Sequence, residues 1–150
     1  MAGGYMGRLL TVDLSSGRID TEPLDEGLCR EVIGGYGLGA KLIYDRQPAG
    51  VDPLSPSNTL GFFTGPLTGT PAIIGSRFMV VGKSPLTGTW GDSNCGGFFG
   101  PHLKFAGYDG VLIIGASTKP VYLLIEDGRA SLVDARELWG KSALETRDAL

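Results

Sequence analysis

Apolar and polar residues alternate at both ends of the chain. Near the start, Leu10, Val12 and Leu14 take every second position, Ser15-Ser16-Gly17-Arg18 breaks the run, and Ile19 and Thr21 resume it. A period of two interrupted by a short polar, glycine-containing segment is the pattern of a β-hairpin. Asp25-Glu26 then open a stretch through Leu28, Val32 and Ile33 that predicts a helix, with its acids in the first turn where the helix dipole favours them. The far end repeats the arrangement. Val121, Leu123 and Ile125 alternate, Glu126-Asp127-Gly128-Arg129 turns, Ala130 and Leu132 return, and Arg136-Glu137-Leu138-Trp139 is expected to begin a second helix. Gly17-Arg18 maps onto Gly128-Arg129 at an offset of 111 residues, which predicts an internal duplication of a hairpin-plus-helix unit. On this reading the second copy is truncated inside its helix and the natural polypeptide is longer.

Between the two units lie three short runs bounded by Gly and Pro: Thr59–Phe63, Arg77–Val81 and Gly110–Ile114. Their β-branched and aromatic content predicts strands. Gly39–Tyr44 has helical character that Pro48 and Pro53 end. Strands outnumber helices and do not alternate with them regularly, so the expected fold class is α+β with largely antiparallel sheets.

Composition narrows the function classes. The chain has 150 residues, a formal net charge of −3 and 42% hydrophobic residues, enough for one core and unlike a polybasic nucleic-acid binder. No apolar stretch is long enough to span a membrane, and the N-terminus lacks a signal-peptide core, so a cytoplasmic protein is expected. Cys29 and Cys95 are the only cysteines. They stand far apart with no CxxC, so this chain alone supplies neither a disulfide scaffold nor an iron–sulfur site. The single histidine, His102, has no ligand partner in the sequence and is given no role.

Glycine concentrates where charge is scarce. From Ser55 to Pro101 there are ten glycines but only three charged residues, Arg77, Lys83 and Asp92. Bare backbone N–H groups together with a guanidinium make an anion-binding concavity, and both cations suit charge-assisted contacts to phosphate. Arg77, at the head of an apolar strand, calls for a partner such as Asp92 or an anionic ligand. Two near-identical turns, Pro66–Thr70 and Pro85–Thr89, flank this region. A third loop, Asp92–Gly97, is expected to lead into a short helix containing Pro101 in its first turn. Two nucleotide signatures fail: Gly82-Lys83-Ser84 lacks the preceding P-loop glycine, and Gly35–Ala40 matches G-x-G-x-x-A but follows a helix, not a strand.

The motifs in order are Gly7-Arg8, Val51–Pro56, Gly65–Thr70, Lys83–Gly88, Asn94–Gly100 and Leu103–Asp109. Together they resemble the N-terminal domain of the tungsten-containing aldehyde:ferredoxin oxidoreductase family over nearly the whole chain. The resemblance implies that residues 1–150 are an N-terminal cofactor-binding domain, incomplete by itself, forming a base for a tungsten (or molybdenum) bis-pterin cofactor. It implies cofactor contacts at Arg77, Asn94, Cys95, Gly96 and Gly97, with the Asn94 carbonyl a ligand of a magnesium ion bridging the pterin phosphates. It further implies a four-iron four-sulfur cluster and catalytic groups in downstream domains only. A small-molecule aldehyde is the implied substrate, ferredoxin or an electron-transfer subunit the acceptor, and a homo-oligomer the assembly, with no nucleic-acid or membrane partner. Cys95 stands where serine is common, Tyr36 where arginine is frequent, and Pro101 where a helix-compatible residue is usual. On the residues alone, a phosphate or small-molecule binding module and an interaction scaffold without redox activity stay open.

Overall fold

A computed structural model describes residues 3–150. The elements in order are β1 (Arg8–Asp13), β2 (Arg18–Pro23), α1 (Glu26–Val32), α2 (Gly35–Arg46), β3 (Leu60–Thr64), β4 (Phe78–Lys83), β5 (Trp90–Cys95), α3 (Phe99–Phe105), β6 (Gly110–Ile114), β7 (Val121–Glu126), β8 (Arg129–Asp134) and α4 (Ala143–Ala149). Six strands form one sheet in the order β2-β1-β6-β3-β4-β5, and β7 and β8 form a separate two-stranded sheet. Every pairing is antiparallel except β1 with β6. The fold is therefore α+β with predominantly antiparallel sheets.

The large sheet is covered on both faces, which explains why its central strands lose simple alternation. On one face Leu9, Phe63, Met79, Val81 and Leu112 meet Leu24, Cys29, Leu38, Leu42 and Ile43 from α1, α2 and their approach. On the other, Leu10, Val12 and Val111 meet Leu103 and Tyr108, and the inward residues of the second hairpin, Leu123, Ile125, Ala130 and Leu132, pack against them. Helix α2 begins four residues before the expected Gly39. Glycine is a weak helix former, but a Cβ on Gly39 would lie 2.9 Å from Val81 Cγ2 and 3.0 Å from Phe63 Cδ2. Close approach to the sheet thus outweighs local propensity.

The two hairpins form, but the units diverge in two places. The first hairpin closes through four residues, with the Asp13 carboxylate accepting from the Ser15 and Ser16 N–H groups. The second closes through Asp127 and Gly128 alone, both at positive φ (48° and 75°), a turn suited to strand twist. After the second hairpin the helix does not begin at Arg136. Residues 136–140 are turns held by Leu138 and Trp139 N–H to the Ala135 carbonyl, and α4 starts only behind Ser142. A capping box decides the position: the Ser142 hydroxyl accepts from Glu145 N–H while the Glu145 carboxylate accepts from Ser142 N–H.

Asp134 closes β8. Its carboxyl is lowered to about 2, first by the Arg136 backbone N–H, then by the Arg136 guanidinium, with Lys119 adding to it. A carboxylate with a depressed folded value stabilises above its unfolded value and loses that contribution as pH falls through the folded one. An NMR titration is expected to find the Asp134 midpoint near 2, moving back toward the ordinary carboxylate range in Arg136→Ala. A midpoint in the ordinary range in the parent would contradict this geometry.

Candidate functional site

At the β5 end of the large sheet, the polypeptide leaves backbone and one cation uncovered. Arg77 sits one residue ahead of β4, and its backbone is fixed by Thr68: the buried Thr68 hydroxyl donates to the Arg77 carbonyl at 2.7 Å and accepts from Gly65 N–H at 3.0 Å. The Pro66–Thr70 turn is thereby bolted to the head of β4. The guanidinium itself is exposed and makes no ion pair among the described residues. Asp92 is not its partner. That carboxylate lies opposite Val81, further along the strand, and accepts from Trp90 Nε1 at 3.1 Å. Being in water, the guanidinium carries no burial penalty, so its availability rather than its cost is the relevant property.

Asn94 and Cys95 end strand β5 rather than belonging to a loop. Met79 lies opposite Asn94 and Phe78 opposite Cys95. Polar and glycine residues gave this segment little strand character in the sequence; pairing with β4 imposes it. The Ser84 N–H donates to the Thr89 carbonyl across the same ladder, so hydrogen-bonded pairs fall at alternate steps down to Phe78 and Cys95. Asn94 falls between them. On an edge strand, its N–H and C=O consequently point away from the sheet, where no strand lies. Its side chain shares a cavity with Arg77. Cys95, one residue on, faces the opposite side, its Sγ 3.7 Å from Ser93 Oγ. Its N–H and C=O, in the hydrogen-bonded pair with Phe78, face β4.

Gly96 and Gly97 connect β5 to α3. A Cβ on Gly96 would sit 3.4 Å from Arg77 Nη1, so the guanidinium lies against bare backbone. Gly97 has φ 91° and nothing within 4 Å of a would-be Cβ, a conformation open to glycine and a backbone open to a ligand. Neither N–H has a hydrogen-bond partner among the described residues. Helix α3 follows, with Pro101 in its first turn as expected, and Phe99 seats it on Phe62 and Phe78 at ring separations of 5.6 and 4.7 Å.

The shared cavity has a volume of about 490 Å³. Its walls are the corner between α1 and α2 (Ile33 to Tyr36), the Gly65–Thr68 turn, Ile74 with Arg77, and Asn94. A larger hollow, about 630 Å³ between α2 and β4–β5, is apolar, and its cations are committed: Lys83 donates to the Val51 carbonyl and Lys41 to Asp45. Lys83 therefore does not join Arg77 in an anion site. The Pro85–Thr89 turn is likewise at the far end of the β4–β5 hairpin, so of the two similar turns only Pro66–Thr70 contributes. The Gly35–Ala40 glycines lie within α2.

A second polar cluster went unread in the sequence. Lys104 and Asp109, 4% and 1% exposed, form an ion pair at 2.6 Å. Asp109 also accepts from the Met6 and Gly7 N–H groups at 3.1 and 2.6 Å, while Lys104 donates to the Gly4 carbonyl. This ties the N-terminal segment to the loop after α3. Lysine among apolar neighbours in Leu103-Lys104-Phe105 was the available signal. Cys29, buried nearby, has its thiol pushed up by burial, with the negative field of Asp109 second.

With this arrangement in view, the likeness to known proteins is extensive. The family model described as aldehyde ferredoxin oxidoreductase, N-terminal domain, matches residues 9–150. The chain belongs to the aldehyde ferredoxin oxidoreductase family. It is 46% identical over 98% of its length to the tungsten-containing aldehyde ferredoxin oxidoreductase of Pyrococcus abyssi, and 47% identical over 95% to that of Pyrococcus furiosus. It spans 24% of the length of each. Among solved structures, the active site complex BamBC of benzoyl coenzyme A reductase, in complex with 1,5-dienoyl-CoA, matches with a TM-score of 0.96 and 40% identity, covering 99% of this chain and 23% of that one. The described residues of this aldehyde ferredoxin oxidoreductase N-terminal domain contain no helix long and apolar enough to cross a membrane.

Proposed function

We propose that the chain is the N-terminal platform for a tungsten (or molybdenum) bis-pterin cofactor in a longer oxidoreductase that converts aldehydes to carboxylic acids and passes electrons to ferredoxin or an electron-transfer subunit. The observation that carries this reading is the exposed, unpaired Arg77 guanidinium lying against the bare Gly96 backbone, with Gly97 open beside it and an outward-facing Asn94 carbonyl in the same segment. The donor set fits the group. A guanidinium makes paired bonds to phosphate or to a heterocycle edge. The N–H groups of Gly96 and Gly97 suit phosphate oxygens, and the Asn94 carbonyl is the hard oxygen ligand that magnesium prefers. Cys95, its own backbone turned to β4, anchors the segment that carries Asn94 and Gly96. When bound, the metal–pterin group would supply the redox chemistry; the chain binds and orients it.

Iron–sulfur ligation and acid–base groups belong, on this reading, to downstream domains of a homo-oligomeric enzyme. Two cysteines, on different elements, do not make a four-cysteine site. Residues 1–150 purified alone are expected to show no aldehyde-dependent dye reduction. Turnover by that fragment, free of full-length protein, would overturn the division of labour.

The likeness to the benzoyl coenzyme A reductase subunit supports a second reading, in which the same platform serves an enzyme acting on coenzyme A esters. Anaerobic assay of the full-length protein with aldehydes and with aryl and dienoyl coenzyme A esters separates the two. Turnover of aldehydes supports the first.

A further inference from the structure

Ile33 and Ile74 hold backbone conformations that their own side chains oppose. Their φ angles are 66° and 65°, where a β-branched residue is a genuine outlier. Ile33 also has ψ −66°, and the Gly34 N–H donates to the Val32 carbonyl at 2.8 Å, making Ile33 the centre of a γ-turn of the rare, strained hand. The surroundings hold it there. Tyr5 Oη donates to the Ile33 carbonyl at 2.6 Å, and the Ile33 N–H donates to the Cys29 carbonyl at 2.9 Å. Core packing does not account for either side chain, since they are 63% and 70% exposed. Glycine at either place would relieve the backbone. What the two share is position, for both line the cavity that contains Arg77 and Asn94.

We propose that Ile33 and Ile74 are positioning residues whose exposed methyl groups grip the face of a flat heterocyclic ring while Arg77 bonds to its polar edge. Strain kept at a ligand-facing rim is strain that pre-organises a site. An apolar wall beside a planar fork of donors selects a ligand with an apolar face and paired acceptors, and the pterin ring has both. The inference rests on the cofactor reading above and deepens it by naming the residues that meet the ring.

The test uses full-length protein purified without oxygen. Ile33→Gly, Ile74→Gly and the double variant are compared with Ile→Val at each place and with Arg77→Ala. Two quantities are read: pterin retained per protein after equal dialysis, and the unfolding temperature of protein stripped of cofactor. Each glycine variant is expected to lose pterin about tenfold faster, the scale of a lost apolar contact in a pocket. Valine retains it, and the stripped glycine variants unfold at the parent temperature or higher. Parental retention in the glycine variants overturns the proposal, and so does a lowered unfolding temperature of the stripped protein, which would make the side chains structural. If the glycine variants do not fold, Ile33→Thr and Ile74→Thr keep the branched shape but replace a methyl-bearing arm with a hydroxyl. Undiminished retention in both overturns the proposal equally. Loss of pterin in Arg77→Ala with full retention in the isoleucine variants fails this inference alone; full retention in Arg77→Ala as well fails the cofactor reading itself.

Discussion

Asp109→Ala is expected to lower the unfolding free energy of the chain by about 3–5 kcal/mol, the usual effect of removing one partner from a buried ion pair. Lys104 would be left in the interior with a single acceptor among the described residues, the Gly4 carbonyl, and the Met6 and Gly7 N–H groups would lose theirs. Domains are stable by only about 5–15 kcal/mol in total, so such a loss is a large share. Lys104→Met combined with Asp109→Leu is expected to recover only part of it, because apolar replacement removes the charges but leaves the two backbone donors unmatched. Urea denaturation at unchanged slope measures both. A shift in Asp109→Ala below about 1 kcal/mol would place the pair among interactions that contribute little. The consequence reaches the site, since the same N-terminal segment carries Tyr5, whose hydroxyl fixes the Ile33 carbonyl at the cavity rim.

Arg77→Lys is expected to reduce cofactor retention in the full-length protein although the charge is kept. Lysine offers a point charge where the guanidinium offers two parallel donors. Losing one charge-assisted bond amounts to roughly 1.5–3 kcal/mol, on the order of ten- to a hundredfold in affinity. Arg77→Ala should lose more. Tungsten and pterin content after equal purification are the readouts, with the fold checked by circular dichroism. Arg77 is exposed and unpaired, so neither substitution is expected to disturb stability, which separates this effect cleanly from that of Asp109. Parental content in both variants would assign the cofactor to another surface.

The fold was legible where side-chain chemistry and backbone demand coincide. Gly110–Ile114 is a strand at its expected bounds, and the inward residues of the second hairpin are those whose alternation announced them. Legibility failed where tertiary contact overrides local preference. Trp90–Cys95 carries glycine, aspartate, serine and asparagine, and only the β4 ladder makes it a strand. The glycines opening α2 disfavour a helix, which survives because Gly39 permits close contact with Phe63 and Val81. Arg136–Trp139 suggests an earlier helix onset in the sequence, but the Ser142–Glu145 capping box sets the start of α4. In the candidate site, Arg77 and the glycines near it stand out through scarcity of charge and excess of glycine, whereas Asn94 and Cys95 enter only through the family resemblance. The strained isoleucines do not stand out, because an exposed isoleucine at positive φ leaves no trace in composition or period. Nor does the outward direction of the Asn94 carbonyl, which follows from register alone.

A crystal structure of the full-length protein, purified and crystallised without oxygen, tests the central claim most directly. The account places pterin phosphate oxygens or the ring edge within hydrogen-bond distance of Arg77 and of the Gly96 and Gly97 N–H groups, with a magnesium ion on the Asn94 carbonyl. A bound cofactor whose pterins make none of these contacts, with Arg77 facing solvent or a protein carboxylate instead, would contradict it.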